Sequence, residues 1–242
     1  SDYHTSGAWV AVAIAGVASR IMKLSLEQTR HAMGIAEYHG PRSQMMRCID
    51  HPTMLKDGSG WGALCGVSAA RMAKAGFTGA PALTLQTKHW HDLGENWLIT
   101  KQYFKPYPVC RWAQAPIAAV LDLKQTYDFS STDVASVHIT SFYEAVRLGQ
   151  KKVTNTEEAQ YSTSFPCAIA LVHGDILPEH IADDALKDPE IQRLSSVLTI
   201  SEDDHANLVF PGSRLARADI TLKNGQVLSS TSVSYTHLTL PT

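Results

Sequence analysis

The 242-residue sequence lacks a strong charge of either sign, since 21 basic and 23 acidic residues give a formal net charge of −2. It has no basic stripe, so we expect no nucleic-acid partner. The longest nearly apolar run, residues 7–18, is shorter than the roughly 20 residues of a membrane span. The first residues lack the basic start of a signal peptide. We therefore predict a cytoplasmic protein with no membrane partner.

Metal and redox motifs are also missing. The four cysteines are far apart and form no CxxC pair, which argues against a zinc ribbon or a redox dithiol. The histidines form no HExxH or comparable ligand pair, and we interpret the nearest candidates, His89 and His91, as surface residues. The P-loop pattern is absent, and the glycine spacing does not fit a dinucleotide-binding fingerprint. We predict no metal.

Helical spacing dominates the first hundred or so residues. Large apolar side chains recur along residues 7–24, among them Trp9 and Ile21, and predict a buried helix. Ser25 and Gln28 predict the capping box of a second helix that ends near residue 38. A polar loop with Pro41 and Pro52 follows, and a third helix is predicted at residues 63–75.

The remaining residues mix both periodicities. A buried helix is predicted at residues 164–173, and a short helix at residues 178–186. Residues 134–142 alternate as a strand, and residues 217–231 predict a hairpin with Asn224-Gly225 as a type I′ turn. We predict an α+β fold.

The domain boundaries follow from this change in the predicted secondary structure. We predict a mostly helical domain over residues 1–103 and a smaller α/β domain over residues 104–233. The tail 234–242 fits neither strand nor helix and resembles translated adapter sequence, so we interpret it as non-native.

A glycine-rich segment, Lys56-Asp57-Gly58-Ser59-Gly60-Trp61-Gly62, precedes the third helix. Its alternating glycines permit a tight turn and a close approach to a ligand. The helix that follows presents N–H groups and the positive end of its dipole, and a neighbouring lysine favours a carboxylate or phosphate. We predict an anion site here, with a plain turn at the start of a helix as the equal alternative.

Three further segments could carry chemistry. His4 precedes the first helix, where an imidazole can act as a base, although a capping loop explains the same residues. Lys105, Cys110 and Arg111 flank a rigid turn with two prolines, which suits either a polyanion or a domain linker. Tyr161 could be a phenolic acid or belong to a polar loop.

These four segments, in this order, resemble the MmgE/PrpD family. The resemblance covers about residues 2–233 and is carried by five stretches: His4–Gly7, Met54–Ala63, Gly76–Gly79, Lys105–Arg111 and Ala159–Ser162. It implies a helical domain followed by an α/β lid, with the active site in the cleft between them. It also implies a homodimer and a reaction without a cofactor on a small di- or tricarboxylate.

The resemblance further implies roles for individual residues. The catalytic candidates are His4, Lys56, Lys105 and Tyr161, and the substrate-binding candidates are Gly58, Ser59, Gly60, Cys110 and Arg111. Cys110 stands where the decarboxylase branch has a histidine, which argues against decarboxylation. Family members are nearly twice as long, so we expect this chain to be an incomplete piece that lacks upstream catalytic residues, an aspartate and a histidine among them.

The implied activity is that of a carbon–oxygen lyase of the 2-methylcitrate dehydratase type. Abstraction of a proton α to a carboxylate needs a nearby base and cations that stabilise the developing charge. An epimerase of the iminodisuccinate type and a non-catalytic member of the fold are the alternatives. We expect the piece alone to be inactive and poorly soluble, because apolar faces such as residues 9–21 lack partners.

Overall fold

The computed structural model describes residues 6–102, 104–149, 152–182 and 184–234. The chain divides into two compact units between Lys101 and Gln102. The first unit is helical, and the second combines helices with a small mixed sheet, which confirms the predicted α+β class. Within these described ranges, every helix is too short or too polar to cross a membrane.

The first unit is built on three long helices. The helices in chain order are α1 (Ser6–Ile21), α2 (Leu26–His39), α3 (Met45–Asp50) and α4 (Ser59–Lys74), followed by 3-10 turns at Leu83–Gln86, Lys88–Trp90 and Leu98–Lys101. Helices α1, α2 and α4 pack against one another. The short helix α3 lies in the connection that we predicted to be a polar loop.

Small side chains form the core of this helical trio. The buried residues of the cluster are Ala11, Ala15, Ala18, Ala32, Ile35, Ala36, Ala69, Ala70 and Ala73. The prediction that the large residues of α1 are buried is wrong, because Trp9 is 65% exposed and Ile21 is 76% exposed. Apolar residues occur on all sides of α1. The side that carries the alanines packs against α2 and α4, because small side chains allow the helix backbones to approach most closely. The large residues therefore lie on the opposite, uncovered face of the described unit.

Local capping signals set the ends of these helices. The Ser25 hydroxyl accepts a hydrogen bond from the Gln28 N–H (3.1 Å), and the Gln28 side chain accepts one from the Ser25 N–H (3.1 Å). The predicted capping box of α2 is thus confirmed. Gly76, two residues beyond α4, has φ +92°, a conformation that favours glycine.

The second unit alternates short helices with strands. Its elements are α5 (Gln114–Thr126), β1 (Val134–Ser141), α6 (Tyr143–Arg147), α7 (Thr156–Gln160), α8 (Ser164–His173), α9 (Pro189–Ser196), β2 (Leu198–Glu202), α10 (Asp204–Val209), β3 (Leu215–Leu222), β4 (Val227–Ser229) and β5 (Val233–Ser234). 3-10 turns lie at Arg111–Ala113, Ser131–Asp133, Pro178–Ile181 and Ala185–Lys187. The single helix predicted for residues 178–186 is therefore two turns.

The strands form one sheet in the order β2-β1-β3-β4, with β5 also paired to β3. Strand β1 runs parallel to β2 and antiparallel to β3, so it has a partner on each side. Val137, Ile139 and Ser141 are buried on one face of β1, as their alternation predicts. Helix α5 packs on β3, and α8 packs against both α5 and α9.

The predicted hairpin is present, but its turn differs from the prediction. Gly225 has φ +89°, whereas Asn224 does not have the positive φ that a type I′ turn requires. The Gly225 N–H donates to the Leu222 carbonyl (2.9 Å), so a β-turn ends at a left-handed glycine. This arrangement matches the three-residue hairpin loop, in which glycine follows a type I turn.

The sheet also corrects the start of the predicted tail. Ser234 pairs with Leu215 of β3, and Val233 pairs with Ala216. Ser234 is therefore part of the fold, and residues 235–242 lie outside the described residues.

Candidate active site

The glycine-rich segment forms the connection into α4, and a side-chain network holds it. Asp57 has φ +35°, a left-handed conformation that aspartate tolerates better than most residues. The Ser6 hydroxyl donates to Asp57 Oδ1 (2.7 Å), and the Gly58 N–H lies 3.3 Å from both Ser6 Oγ and Asp57 Oδ1. The start of α1 and the start of α4 are thereby tied together through three residues.

Glycines allow these two helix starts to lie in backbone contact. A Cβ on Gly62 would lie 2.3 Å from the Gly7 carbonyl oxygen, and one on Gly7 would lie 2.7 Å from the Gly58 carbonyl oxygen. A Cβ on Gly60, by contrast, would meet nothing within 4 Å. Gly7, Gly58 and Gly62 therefore serve helix packing, and Gly60 faces open space.

The first turn of α4 retains the features of an anion site. Its first intrahelical bond runs from the Gly62 N–H to the Gly58 carbonyl (2.8 Å). By helix geometry, the preceding N–H groups of Ser59, Gly60 and Trp61 have no acceptor within the helix. All three residues are exposed, and Lys56, which is half-buried, lies just before them. A negatively charged group at this position would meet backbone donors, the helix dipole and a lysine.

A cavity of about 420 Å³ lies beside Asp57 in the first unit. Its lining includes the cationic side chain of Arg47, the titratable side chain of His51 and the thiol of Cys48. Burial raises the pKa of the Cys48 thiol, so this sulfur is neutral at pH 7. Arg47 lies in α3, and His51 directly follows it. The sequence analysis did not identify either residue as a candidate, because it predicts a polar loop in this segment.

His4, the remaining candidate of the first unit, lies outside the described residues.

In the second unit, the turn with two prolines brings its polar groups together. The Lys105 ammonium donates to the Val109 carbonyl (3.2 Å), and the Val109 N–H donates to the Tyr107 carbonyl (2.8 Å). Cys110 and Arg111 follow, both half-buried, and Arg111 begins the 3-10 turn that leads into α5. The lysine therefore folds back over its own turn and closes it.

The structure joins this turn to the segment that contains Tyr161. The Cys110 N–H donates to the Gln160 carbonyl (2.8 Å). The two residues are far apart in sequence, and their motifs alone do not predict this contact. Tyr161 directly follows α7 as its C-cap residue, with its N–H 3.3 Å from the Glu157 carbonyl. Cys110 and Tyr161 thus lie on adjoining pieces of backbone.

Buried hydroxyl groups fix the chain directly after Tyr161. The Thr163 hydroxyl donates to the Ala145 carbonyl (3.0 Å), and the Ser162 hydroxyl accepts from the Phe165 N–H (3.1 Å). The Ser195 hydroxyl of α9 donates to Ser164 Oγ (3.1 Å). These bonds anchor the start of α8 and with it the backbone position of Tyr161.

Two models of one protein family together match nearly the whole chain. The family model of the MmgE/PrpD N-terminal domain matches residues 1–96, and that of the MmgE/PrpD C-terminal domain matches residues 107–238. The chain belongs to the MmgE/PrpD family. Lys56 and the first turn of α4 fall in its N-terminal domain, while Cys110, Arg111 and Tyr161 fall in its C-terminal domain. Lys105 lies in the short stretch between the two matches.

Two curated proteins that are similar to this chain carry dehydratase names. The "2-methylcitrate dehydratase, mitochondrial" of Yarrowia lipolytica is 27% identical over 93% of this chain and 48% of its own length. The "Probable 2-methylcitrate dehydratase" of Saccharomyces cerevisiae is 26% identical over 81% of this chain and 42% of its own length. The chain thus spans about half the length of these curated relatives or slightly less.

Proposed function

We propose that the full-length protein is a carbon–oxygen lyase that dehydrates a small hydroxy di- or tricarboxylate, in the manner of 2-methylcitrate dehydratase, without a cofactor. The observation that carries this proposal is the exposed first turn of α4 with Lys56 beside it. This anion site occurs in a member of the MmgE/PrpD family whose relatives carry the dehydratase name.

Each unit carries groups that can bind a carboxylate. In the first unit, the N–H groups of Ser59 and Gly60 can donate hydrogen bonds to a carboxylate, with Lys56 as its counter-ion. In the second unit, Lys105 and Arg111 supply two further cations, and an arginine can bind a carboxylate through two parallel hydrogen bonds. We assign these residues to substrate binding.

The chemistry requires removal of a proton from a carbon α to a carboxylate. We assign this step to His4 or to a base outside the chain, which accepts the proton. The electron pair left on carbon forms the new double bond, and the β-hydroxyl leaves. It takes a proton from an acid, for which we propose Tyr161, and departs as water. Cations at the α-carboxylate stabilise the charge that develops during proton removal.

Turnover by the full-length protein tests this assignment directly. Incubation with 2-methylcitrate or citrate should yield an α,β-unsaturated product that is detectable by ultraviolet absorbance. In deuterated buffer, exchange at the α-carbon without elimination would reject the dehydratase and favour the epimerase. An absence of both reactions on every polycarboxylate would favour a non-catalytic role.

Charge removal at the two lysines tests the site itself. We expect Lys56→Met and Lys105→Met each to lower kcat/KM by about 10²- to 10³-fold, as for loss of one donor to a developing negative charge. Lys74→Met, at the far end of α4, and Lys223→Met, on the hairpin turn, are matched controls that remove exposed lysines from the same units. Equal activity in the site variants and the controls would contradict the proposed site.

A further inference from the structure

Gln114 carries a buried side-chain amide at the first position of α5, and this amide bonds to the turn at residues 105–110. Its side chain is fully buried. Its Oε1 accepts from the Tyr107 N–H (3.2 Å), and its Nε2 donates to the Tyr107 carbonyl (3.1 Å) and the Val109 carbonyl (3.2 Å). Nε2 also lies 3.4 Å from the Cys110 carbonyl.

The turn needs such an external partner because its own backbone is poor in donors. Pro106 and Pro108 have no N–H group, and both restrict the residue before them to an extended conformation. The Tyr107 carbonyl accepts the Val109 N–H (2.8 Å) and the Cys110 carbonyl accepts the Ala113 N–H (3.1 Å), but the turn lacks the repeating backbone bonds of a helix or strand. An unsatisfied buried carbonyl is costly, so a side-chain amide that serves three of them stabilises one shape of this turn.

Gln114 and Lys105 share an acceptor. The Val109 carbonyl receives Gln114 Nε2 at 3.2 Å and Lys105 Nζ at 3.2 Å. The position of this oxygen, and with it the resting position of the ammonium group, depends on where the amide holds the backbone.

We infer that Gln114 is a positioning residue, which fixes the turn so that the Lys105 ammonium is placed for a substrate carboxylate. This role rests on the proposed function, since it supposes that Lys105 binds substrate. A glutamate at this position would match the shape but would set carboxylate oxygens against three carbonyl oxygens, so only an amide suits this position.

The experiment compares Gln114→Leu and Gln114→Glu with a matched control in the full-length protein. Gln192→Leu removes another side-chain amide of the second unit, one that donates to the Leu186 carbonyl (2.7 Å) and the Val153 carbonyl (3.3 Å). Kinetics on a hydroxytricarboxylate, thermal unfolding and amide hydrogen exchange of residues 105–111 are measured for each variant.

We expect the Gln114 variants to raise KM by up to about 10²-fold, because misplacement of a substrate-positioning group by about 1 Å can cost that factor. Residues 107–110 should exchange faster in the same variants. Gln192→Leu should lower the unfolding temperature but leave KM and the exchange of this turn unchanged. A Gln114 variant with parental KM and parental exchange of the turn would overturn the inference.

Two further outcomes are also decisive. If the parent turns over no polycarboxylate, the proposed function fails, and faster exchange of residues 107–110 in the Gln114 variants alone still supports the role in holding the turn. If Gln114→Leu and Gln114→Glu do not fold, Gln114→Asn keeps the amide but shortens its reach by one methylene. Parental KM and exchange in a folded Gln114→Asn protein would then reject the inference.

Discussion

Replacing Gly62 by alanine should destabilise the first unit, although alanine favours helices. The new Cβ would lie 2.3 Å from the Gly7 carbonyl oxygen and 3.0 Å from the Gly7 carbonyl carbon and Cα. These are backbone atoms of another helix, so α1 and α4 must separate by about 1 Å to restore ordinary contact. Overpacking of this kind costs about 1–3 kcal/mol, and we expect the upper end of that range because no side chain can rotate away.

A matched glycine isolates this packing contribution from helix propensity. Both Gly60 and Gly62 lie in the first turn of α4, and a Cβ on Gly60 would meet nothing within 4 Å. Each substitution gains up to about 1 kcal/mol from helix propensity. Gly62→Ala should therefore lose a net of about 2 kcal/mol, whereas Gly60→Ala should be neutral or slightly more stable.

Urea unfolding of the full-length protein, followed by tryptophan fluorescence, measures the difference. Within this chain, four of the five tryptophans belong to the first unit and report on its unfolding: Trp9, Trp61, Trp90 and Trp97. The midpoint for Gly62→Ala should fall well below that of Gly60→Ala. Equal midpoints for the two variants would refute the argument that α1 and α4 need glycine to pack.

Two smaller effects are expected in the second unit. Gly225→Ala places a side chain at φ +89°, where a Cβ would meet nothing within 4 Å, so its cost is backbone strain alone. Thermal unfolding should show a loss of about 1 kcal/mol for Gly225→Ala and a smaller loss for Gly225→Asn. An equal loss of stability in both variants would contradict this. The hydrogen bond from Arg193 lowers the pKa of Glu190 below its ordinary 4.5, so this carboxylate stabilises the fold at neutral pH, and its contribution is lost as the pH falls through 4.5 and below. Glu190→Gln should lower stability by less than about 1 kcal/mol at pH 7 and flatten the acid limb of the stability–pH curve, whereas an unchanged acid limb would exclude Glu190 as its source.

Local signals were sufficient for much of the second unit. Helix α8 was predicted at residues 164–173 and spans Ser164–His173, because an apolar run ends at a glycine with φ +75°. The alternation of β1 likewise identified its buried face. In both elements the decisive residues are neighbours in sequence.

The first unit shows where such reasoning fails. Helix α1 has apolar residues on every side, so its periodicity cannot tell which stripe meets another helix. The buried stripe consists mostly of alanines and other small residues, because Gly62 and Gly66 of α4 bring the two backbones close. The facing residues, such as Gly7 and Gly62, are far apart in sequence, so their contact becomes visible only in the fold.

The candidate site was recognised from its motifs, but their connections were not. Lys105, Cys110 and Tyr161 were named from sequence, whereas the bond from the Cys110 N–H to the Gln160 carbonyl depends on the fold. Gln114 was missed. Its one sequence signal is a polar residue at the start of a helix whose remaining inward positions are apolar.

The central place of β1 in its sheet has a consequence for synthesis on the ribosome. Its nearer partner is β2, and paired residues such as His138 and Thr199 are 61 positions apart. Translation at roughly 5–20 residues per second therefore delays this pairing by about 3–12 s. The antiparallel partner β3 follows later still. Until residue 202 is made, β1 has neither partner, and until residue 222 is made it still lacks β3. The nascent chain is therefore most open to aggregation or chaperone capture through an unpaired strand edge in this interval.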